Sequence, residues 1–175
     1  MATTVSMSSF SDSINTALAP LSMTQTNTQS PQEVALQLER EEKAAKIDAY
    51  LLKNKMPLAG NGMKMVLAAE KYELDWRMIP AIAVRESTGG RFACKKFPEN
   101  AWGWHSCKAG LGGSTDAAID LIAQHLSGNN PNTARYYSTK TTPKEILQTY
   151  NPPSVVPTYA AEVMSVMAKI ESINV

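Results

Sequence analysis

Two short stretches carry most of the information in this sequence: AVRESTGG at residues 83–90, and NAWGW at residues 100–104 between Cys94 and Cys107. The first stretch predicts the end of an apolar helix, because a pair of glycines closes it. It places one carboxylate, Glu86, at that helix end and beside the aromatic loop. Glu86 is therefore the strongest candidate in the chain for a catalytic acid.

The surroundings expected for Glu86 favour its protonated form. The negative end of the helix dipole disfavours an ionised carboxylate. Ile79 and Ile82, on the same side of the helix, add desolvation. Arg85 and Arg91 act in the opposite direction if their side chains turn inward, and Glu86 is then an ordinary solvated residue paired to an arginine. Spacing alone leaves both interpretations open.

Composition excludes several classes of protein. The chain has 175 residues, enough for about one domain with a well-formed core, and its formal net charge is +1. Lysines and arginines are spread along the chain, so nothing indicates a nucleic-acid-binding surface. No apolar run approaches the roughly 20 residues that cross a bilayer, and no leader peptide is visible. We expect a monomer with a neutral or weakly charged partner, and neither a metal nor an organic cofactor is implied.

The pattern along the chain predicts three segments and a mainly α-helical fold. Residues 1–30 are rich in Ser, Thr, Asn and Gln, so they are predicted to be a disordered tail. A capping box at residues 30–33 begins a charged helical stalk over 31–46, and the globular domain follows over 47–175. Helices are also predicted over 63–72, 76–86 with Asp75 as N-cap, 114–126, 142–150 and from Pro157 onward. Residues 91–113 are predicted to form a folded loop or short hairpin.

The two cysteines allow three interpretations. Cys94 and Cys107 enclose a loop that a disulfide would stabilise by about 3 kcal/mol, and a bridge favours an oxidising compartment. His105 and His125 allow a zinc site to be drawn, but the close cysteine pair typical of structural zinc is missing. No local sequence suggests a catalytic thiol. The bridge is the preferred prediction.

Beyond these local arguments, the sequence resembles the glucosaminidase-type (endo-β-N-acetylglucosaminidase-like) branch of the lysozyme-like superfamily, which includes muramidases and lytic transglycosylases. The resemblance covers about residues 47–170 and rests on stretches in a fixed order. These are AVRES at 83–87, NAWGW at 100–104, GSTDAAI at 113–119, and YNP at 150–152 leading to YAAEV at 159–163.

The resemblance implies a lysozyme-like helical domain that cleaves β-1,4 bonds of peptidoglycan glycan strands. Glu86 would protonate the glycosidic oxygen, and Tyr150 would face it across the cleft, positioning an N-acetyl group or stabilising charge. A substrate of this kind implies an extracytoplasmic location, in the periplasm, the cell wall or the medium. For Tyr150 the alternative is a packing residue at a helix end.

The resemblance also implies a set of substrate-binding residues around Glu86. Ser87 would cap or orient the turn after Glu86, and Asn100 would border the groove together with the backbone of residues 102–104. Trp102 or Trp104 could stack on a sugar ring, although core packing is the alternative for each. The substrate-binding set is Ser87, Asn100, Trp102, Gly103, Trp104 and Tyr159.

A second catalytic carboxylate is not assigned. Glycosidases usually use two, and their separation decides the stereochemical outcome. In the resembling families the second group is often remote or absent, and attack by the sugar's own hydroxyl then gives an anhydro product. Hydrolase and transglycosylase both remain open, and a non-catalytic glycan-binding or protein-interaction module of the same fold is the competing hypothesis. The available acids are Glu99, Asp116, Asp120 and Glu145.

Overall fold

The computed structural model describes residues 30–175, and within this range the fold is mainly helical and contains no β-strand. The mainly α prediction is confirmed for this range, whereas the predicted disordered tail lies outside it except for Ser30. The helices are α1 (Pro31–Lys53), α2 (Gly62–Lys71), α3 (Met78–Ser87), a 3-10 helix (Trp104–Cys107), α4 (Thr115–Leu126), α5 (Ala134–Tyr137), α6 (Pro143–Tyr150) and α7 (Tyr159–Glu171).

The first helix begins at the predicted capping box and runs without a break through the predicted stalk. The Ser30 hydroxyl accepts the backbone N–H of Glu33, and the Glu33 carboxylate accepts the N–H of Ser30. Exposed side chains dominate its first half, and its buried residues are Ala44, Ile47 and Leu51. The predicted boundary between residues 46 and 47 therefore falls inside one continuous helix, and the division into stalk and domain stays a prediction.

Helices α1 and α2 pack closely because Gly62 has no side chain. A Cβ at Gly62 would lie 2.4 Å from the carbonyl oxygen of Ala44. The Asp48 carboxylate accepts the backbone N–H groups of Gly60 at 2.7 Å and Gly62 at 3.0 Å. The turn between the helices is thus fixed to α1 by a charge-assisted contact.

Helix α3 is the centre of the core and packs against α2, α4 and α7. Its first six residues, 78–83, are all buried. The helix begins at Met78 and not at the predicted residue 76, because the Asp75 carboxylate accepts the N–H of Arg77 at 3.0 Å and also holds its guanidinium at 2.6 Å. Asp75 therefore fixes the turn before the helix, while Arg77 occupies the N-cap position.

Residues 91–113 form successive turns instead of a hairpin, and the short 3-10 segment Trp104–Cys107 is kinked by non-helical backbone at His105 and Ser106. The predicted bridge between Cys94 and Cys107 is confirmed, with a Cα–Cα distance of 5.4 Å. His105, Ser106 and Cys107 all have positive φ angles, which a strand does not allow. The disulfide closes the loop across this irregular backbone.

Of the C-terminal helices, α7 packs on α3 and α6 packs on α7. The predicted capping box of α6 is present, with Thr142 and Glu145 as its partners. Helix α7 begins at Tyr159, two residues after Pro157, and buries Val163, Met167 and Ile170 along one face. No helix within residues 30–175 is both long enough and apolar enough to cross a membrane.

Candidate functional site

Glu86 lies in the last turn of α3 and is half-buried. The helix ends directly after it, because Thr88 has a left-handed backbone with φ of 55° and the N–H of Gly89 returns to the carbonyl of Ala83 at 3.0 Å. The carboxylate is thus carried by the last turn of the helix whose first six residues are buried in the core.

Neither arginine expected near Glu86 pairs with it. Arg85 pairs with Glu162 of α7, and its guanidinium lies 5.6 Å from the centre of the Tyr159 ring. Arg91 donates to the backbone carbonyls of residues 54 and 55. Glu86 forms no ion pair with any residue in the described part of the chain, so the interpretation as an arginine-paired surface residue is wrong.

Ser87 joins the end of α3 to the aromatic loop. Its side chain is buried, its hydroxyl donates to the carbonyl of Ala101 at 2.6 Å, and it accepts the N–H of Gly90 at 2.8 Å. Because all the partners of this hydroxyl, including the carbonyl of Ala83, are backbone groups, Ser87 orients the turn, and its buried side chain offers little surface to a ligand.

Asn100 is the second support of the aromatic loop. It is fully buried, its amide donates to the carbonyls of Trp104 at 3.0 Å and Ala109 at 3.1 Å, and its oxygen accepts the N–H of Trp104 at 3.0 Å. One side chain therefore satisfies three backbone polar groups of the loop. Asn100 shapes the loop from beneath.

The two tryptophans of the loop have opposite positions. Trp102 is fully buried, and its indole N–H donates to the carbonyl of Ile79 at 2.9 Å, so it belongs to the core and its ring is out of reach of a sugar. Trp104 is half-buried, and its ring stacks on His125 at a centroid distance of 4.6 Å. Of the two, only Trp104 can offer a ring face to a ligand.

A cavity of about 580 Å³ opens beside Glu86. Its size lies in the range of small-molecule sites. Aromatic rings and hydroxyl groups dominate the wall, and Glu86 is the only acidic residue among the lining residues within the described range. The lining residues are Glu86, Gly103, Trp104, His105, Ser106, Thr133, Tyr136, Tyr137, Thr149, Tyr150 and Asn151.

Tyr150 lies on the same cavity as Glu86, and Tyr159 supports it from behind. The Tyr150 hydroxyl donates to the carbonyl of Trp102, and its ring stacks on that of Tyr159 at 5.8 Å and 12°. Burial, and then the charge of Glu86, raise the pKa of Tyr150 well above its usual value. Tyr150 is therefore a neutral hydrogen-bonding group at neutral pH.

The hydroxyl of Tyr159 has an unusual environment. Its side chain is almost fully buried, and its hydroxyl lies close to the Glu86 carboxylate without meeting the geometry of a hydrogen bond to it or to any other described residue. Burial raises the pKa of Tyr159, and the nearby Tyr150 and Glu86 add to the rise. Tyr159 does not line the cavity, so this residue of the predicted substrate-binding set lies behind the wall.

Replacing Tyr159 by Phe should leave the free energy of unfolding unchanged or raise it by about 1 kcal/mol, because a buried hydroxyl without a partner is costly. Tyr150→Phe is the matched control, and it should lower that free energy by about 1 kcal/mol, because it removes the hydrogen bond to Trp102. Urea denaturation of both variants measures the difference. A clear loss of stability in Tyr159→Phe would show that its hydroxyl has a partner.

Gly103 is the residue of the aromatic loop that lies directly against Glu86. Its φ is +63°, and a Cβ there would lie 3.0 Å from Oε2 of Glu86. A side chain at this position would therefore meet both a backbone penalty and the candidate acid. This explains why the sequence has glycine between the two tryptophans.

Gly103→Ala should lower the free energy of unfolding by about 1 kcal/mol and also displace the Glu86 carboxyl. Gly113→Ala is the control, because Gly113 has φ of +76° but nothing within 4 Å of its would-be Cβ. Denaturation should show similar losses for both, whereas crystal structures should show a displaced Glu86 carboxyl only in Gly103→Ala. An unmoved Glu86 carboxyl in Gly103→Ala would contradict the contact.

The other candidate carboxylates do not line the cavity. Asp116 pairs with Lys64 at 2.5 Å and Asp120 with Lys71 at 2.6 Å, both on the surface of α4. The remaining two bind backbone: Glu99 accepts the N–H of Leu111 at 3.1 Å, and Glu145 accepts that of Thr142 at 3.0 Å. Each acid has a structural explanation, so the cavity holds one carboxylate.

The zinc and thiol interpretations of the cysteines are wrong, because both sulfur atoms are in the disulfide. Within residues 30–175, no three His, Cys, Asp or Glu side chains cluster in a way that could hold a metal ion. His125 packs on Trp104 and shares a 3.1 Å hydrogen bond between its Nδ1 and the Thr133 hydroxyl. Burial, and then the charge of His105, lower the pKa of His125.

Several cavity residues were not predicted from the sequence. Thr133, Tyr136 and Tyr137 form part of the wall, yet they lie in a polar stretch of sequence between two predicted helices. Tyr136 and Tyr137 were the available signal, because adjacent aromatic residues in an otherwise polar segment indicate a surface that packs or binds. Thr149 and Asn151 flank Tyr150 in the sequence, so the prediction of Tyr150 as a site residue also points to them.

Comparison of the chain with models of protein families, with curated proteins and with solved structures found no match. The chemistry of the cavity therefore carries the functional argument. A single carboxyl group on a rigid helix can donate a proton to a bound ligand. The rings of Trp104, Tyr136 and Tyr150 give the same cavity an aromatic, partly apolar surface.

Proposed function

We propose that this protein cleaves β-1,4 bonds between N-acetylated amino sugars in peptidoglycan glycan strands, with Glu86 as general acid. The observation that carries the proposal is the position of Glu86, which is half-buried, unpaired by any described cation and alone as an acid in an aromatic-walled cavity. The likeness of residues 47–170 to glucosaminidase-type, lysozyme-like enzymes supports the same assignment. The proposed fold is accordingly a lysozyme-like domain.

In the proposed reaction, the Glu86 proton passes to the bridging oxygen while the bond from that oxygen to the anomeric carbon breaks. Water or one of the sugar's own hydroxyl groups then attacks the anomeric carbon, and the proton that it releases returns to the Glu86 carboxylate. Water gives a reducing sugar and the internal hydroxyl gives an anhydro sugar. Tyr150, a neutral hydroxyl on the cavity wall, is proposed to orient the N-acetyl group.

The disulfide supports an extracytoplasmic location, because such bonds persist in oxidising compartments. Peptidoglycan lies outside the cytoplasmic membrane, so the proposed substrate and the bridge agree. Reduced cysteines in protein isolated from its native source would argue against this location.

A non-catalytic module that binds the same glycan is the second candidate. It is favoured by the absence of a second carboxylate from the cavity wall, since most glycosidases use a pair. In this case the aromatic rings bind sugar and Glu86 is only a hydrogen-bonding group. Both candidates bind the glycan, but only the enzyme cleaves it.

Incubation with purified, insoluble peptidoglycan separates the two candidates. If the protein is an enzyme, the wild-type chain releases soluble fragments and Glu86→Gln releases none. Both proteins then sediment with the insoluble material. A binding module sediments in both forms and releases nothing. Failure of the wild-type chain both to sediment and to release fragments would reject both candidates.

A further inference from the structure

A second cavity, of about 560 Å³, adjoins the one that contains Glu86. The two cavities share four lining residues, Trp104, His105, Thr133 and Tyr136. The cavities therefore adjoin, and an extended ligand that occupies both would pass over these four residues. Because Trp104 is one of them, a bound sugar next to Trp104 would lie at the junction.

The lining of the second cavity has an uneven chemistry. Within the described range it contains no acidic residue, and Arg135 supplies a permanent positive charge. Leu111 and Leu121 give it an apolar side, and Asn132 and Thr133 add uncharged polar groups. A cavity of this composition suits a ligand that combines a carboxylate with short aliphatic groups.

Arg135 differs from the other arginines in what it contacts. Arg40, Arg77 and Arg85 all pair with carboxylates, and Arg91 donates to two backbone carbonyls. The Arg135 guanidinium lies over the Tyr136 ring at 4.5 Å and pairs with no carboxylate of residues 30–175. The ring holds the planar group by a cation–π contact while its N–H donors stay available.

We propose that the second cavity binds a carboxylate-bearing peptide substituent of the glycan whose sugar backbone occupies the first cavity, with Arg135 as the anion-binding residue. The proposal rests on the proposed function above and adds the substrate class. In peptidoglycan, every second sugar carries a lactyl ether from which a short peptide with free carboxylates extends. The preferred substrate is therefore peptide-bearing glycan, and glycan without its peptides binds more weakly.

The test compares two soluble glycan preparations from one source, one with its peptides and one from which an amidase has removed them. For the wild-type chain, kcat/KM should be higher on peptide-bearing glycan. Arg135→Met should reduce this preference about tenfold, mainly through KM, and Arg135→Lys should restore part of it because it keeps the charge. Lys144→Met is the control, since Lys144 is an exposed cation that lines neither cavity. An unchanged preference in Arg135→Met would overturn the proposal.

Binding measurements separate a failed subsite from a failed function. Calorimetry with a soluble peptide-bearing fragment should give about tenfold weaker binding to Arg135→Met than to the wild-type chain, whether or not the protein cleaves glycan. Arg135-dependent binding without turnover would reject the proposed function and retain the subsite. Turnover with equal affinity for both glycan preparations would reject the subsite and retain the function.

Discussion

Glu86→Gln should lower turnover of peptidoglycan glycan by about 10²- to 10⁴-fold, which is the usual contribution of a positioned general acid. The amide has nearly the same shape as the carboxylic acid but has no proton to donate at neutral pH. Because Glu86 forms no ion pair within the described chain, its replacement leaves no cation unpaired. The free energy of unfolding should therefore stay within about 0.5 kcal/mol of wild type.

Glu99→Gln is the matched control for this substitution. Glu99 belongs to the disulfide-closed loop next to Glu86, but it lies outside the cavity, and the amide oxygen of Gln can still accept the N–H of Leu111. Steady-state kinetics on soluble glycan should show near wild-type turnover for this variant. Equal activities of Glu86→Gln and wild type would remove Glu86 from the mechanism.

Trp102→Ala should lower the free energy of unfolding by about 3–5 kcal/mol, the range for removing a large buried aromatic side chain. Trp102 has no exposed surface, and its N–H satisfies the carbonyl of Ile79 in α3. The substitution therefore opens a cavity directly behind the helix that carries Glu86. A loss of this size is a large part of the 5–15 kcal/mol that typically stabilises a domain.

Trp104→Ala is the informative comparison, because it removes a neighbouring tryptophan of the same loop. Trp104 is half-buried, so its loss should lower stability by only about 1 kcal/mol, through the ring contacts with His125 and Tyr150. It should instead weaken glycan binding. Trp102→Phe is a milder second variant for the case in which Trp102→Ala does not fold. Urea denaturation gives the free energy of unfolding of Trp102→Ala, Trp102→Phe and Trp104→Ala. A greater loss of stability in Trp104→Ala than in the Trp102 variants would contradict their assigned positions.

The sequence was informative about helices wherever local capping chemistry decides them. The capping boxes at Ser30 and Thr142 mark the starts of α1 and α6, and both are present in the structure. The start of α3 was misplaced, because Asp75 binds the Arg77 side chain as well as its backbone and so holds an extra turn. Side-chain contacts of this kind lie outside the capping rules.

The irregular loop was predictable in outline but not in detail. Gly, Pro, Trp and Cys exclude a long helix over residues 91–113, and the cysteine spacing indicated the bridge, which the structure contains. A hairpin was equally compatible with that composition. The choice depends on Asn100, whose buried side chain takes the hydrogen bonds of three backbone groups, and burial of this residue depends on tertiary packing.

The candidate site was only partly predictable for a related reason. Glu86, Gly103, Trp104 and Tyr150 were singled out from the sequence, and the structure brings them to one cavity. Thr133, Tyr136 and Tyr137 also line this cavity, but no pattern in the sequence predicts that their segment lies next to the end of α3. Contacts between residues so far apart in the chain follow from helix packing, which local periodicity does not encode.

Mass spectrometry of the sugar ends that the protein creates in purified peptidoglycan tests the central claim most directly. New ends should appear with the wild-type chain and with Glu99→Gln, and none with Glu86→Gln. Reducing ends would identify a hydrolase, and anhydro ends would identify a lytic transglycosylase. Binding of the wild-type chain to peptidoglycan without any new sugar ends would contradict the assignment of Glu86 as a catalytic acid.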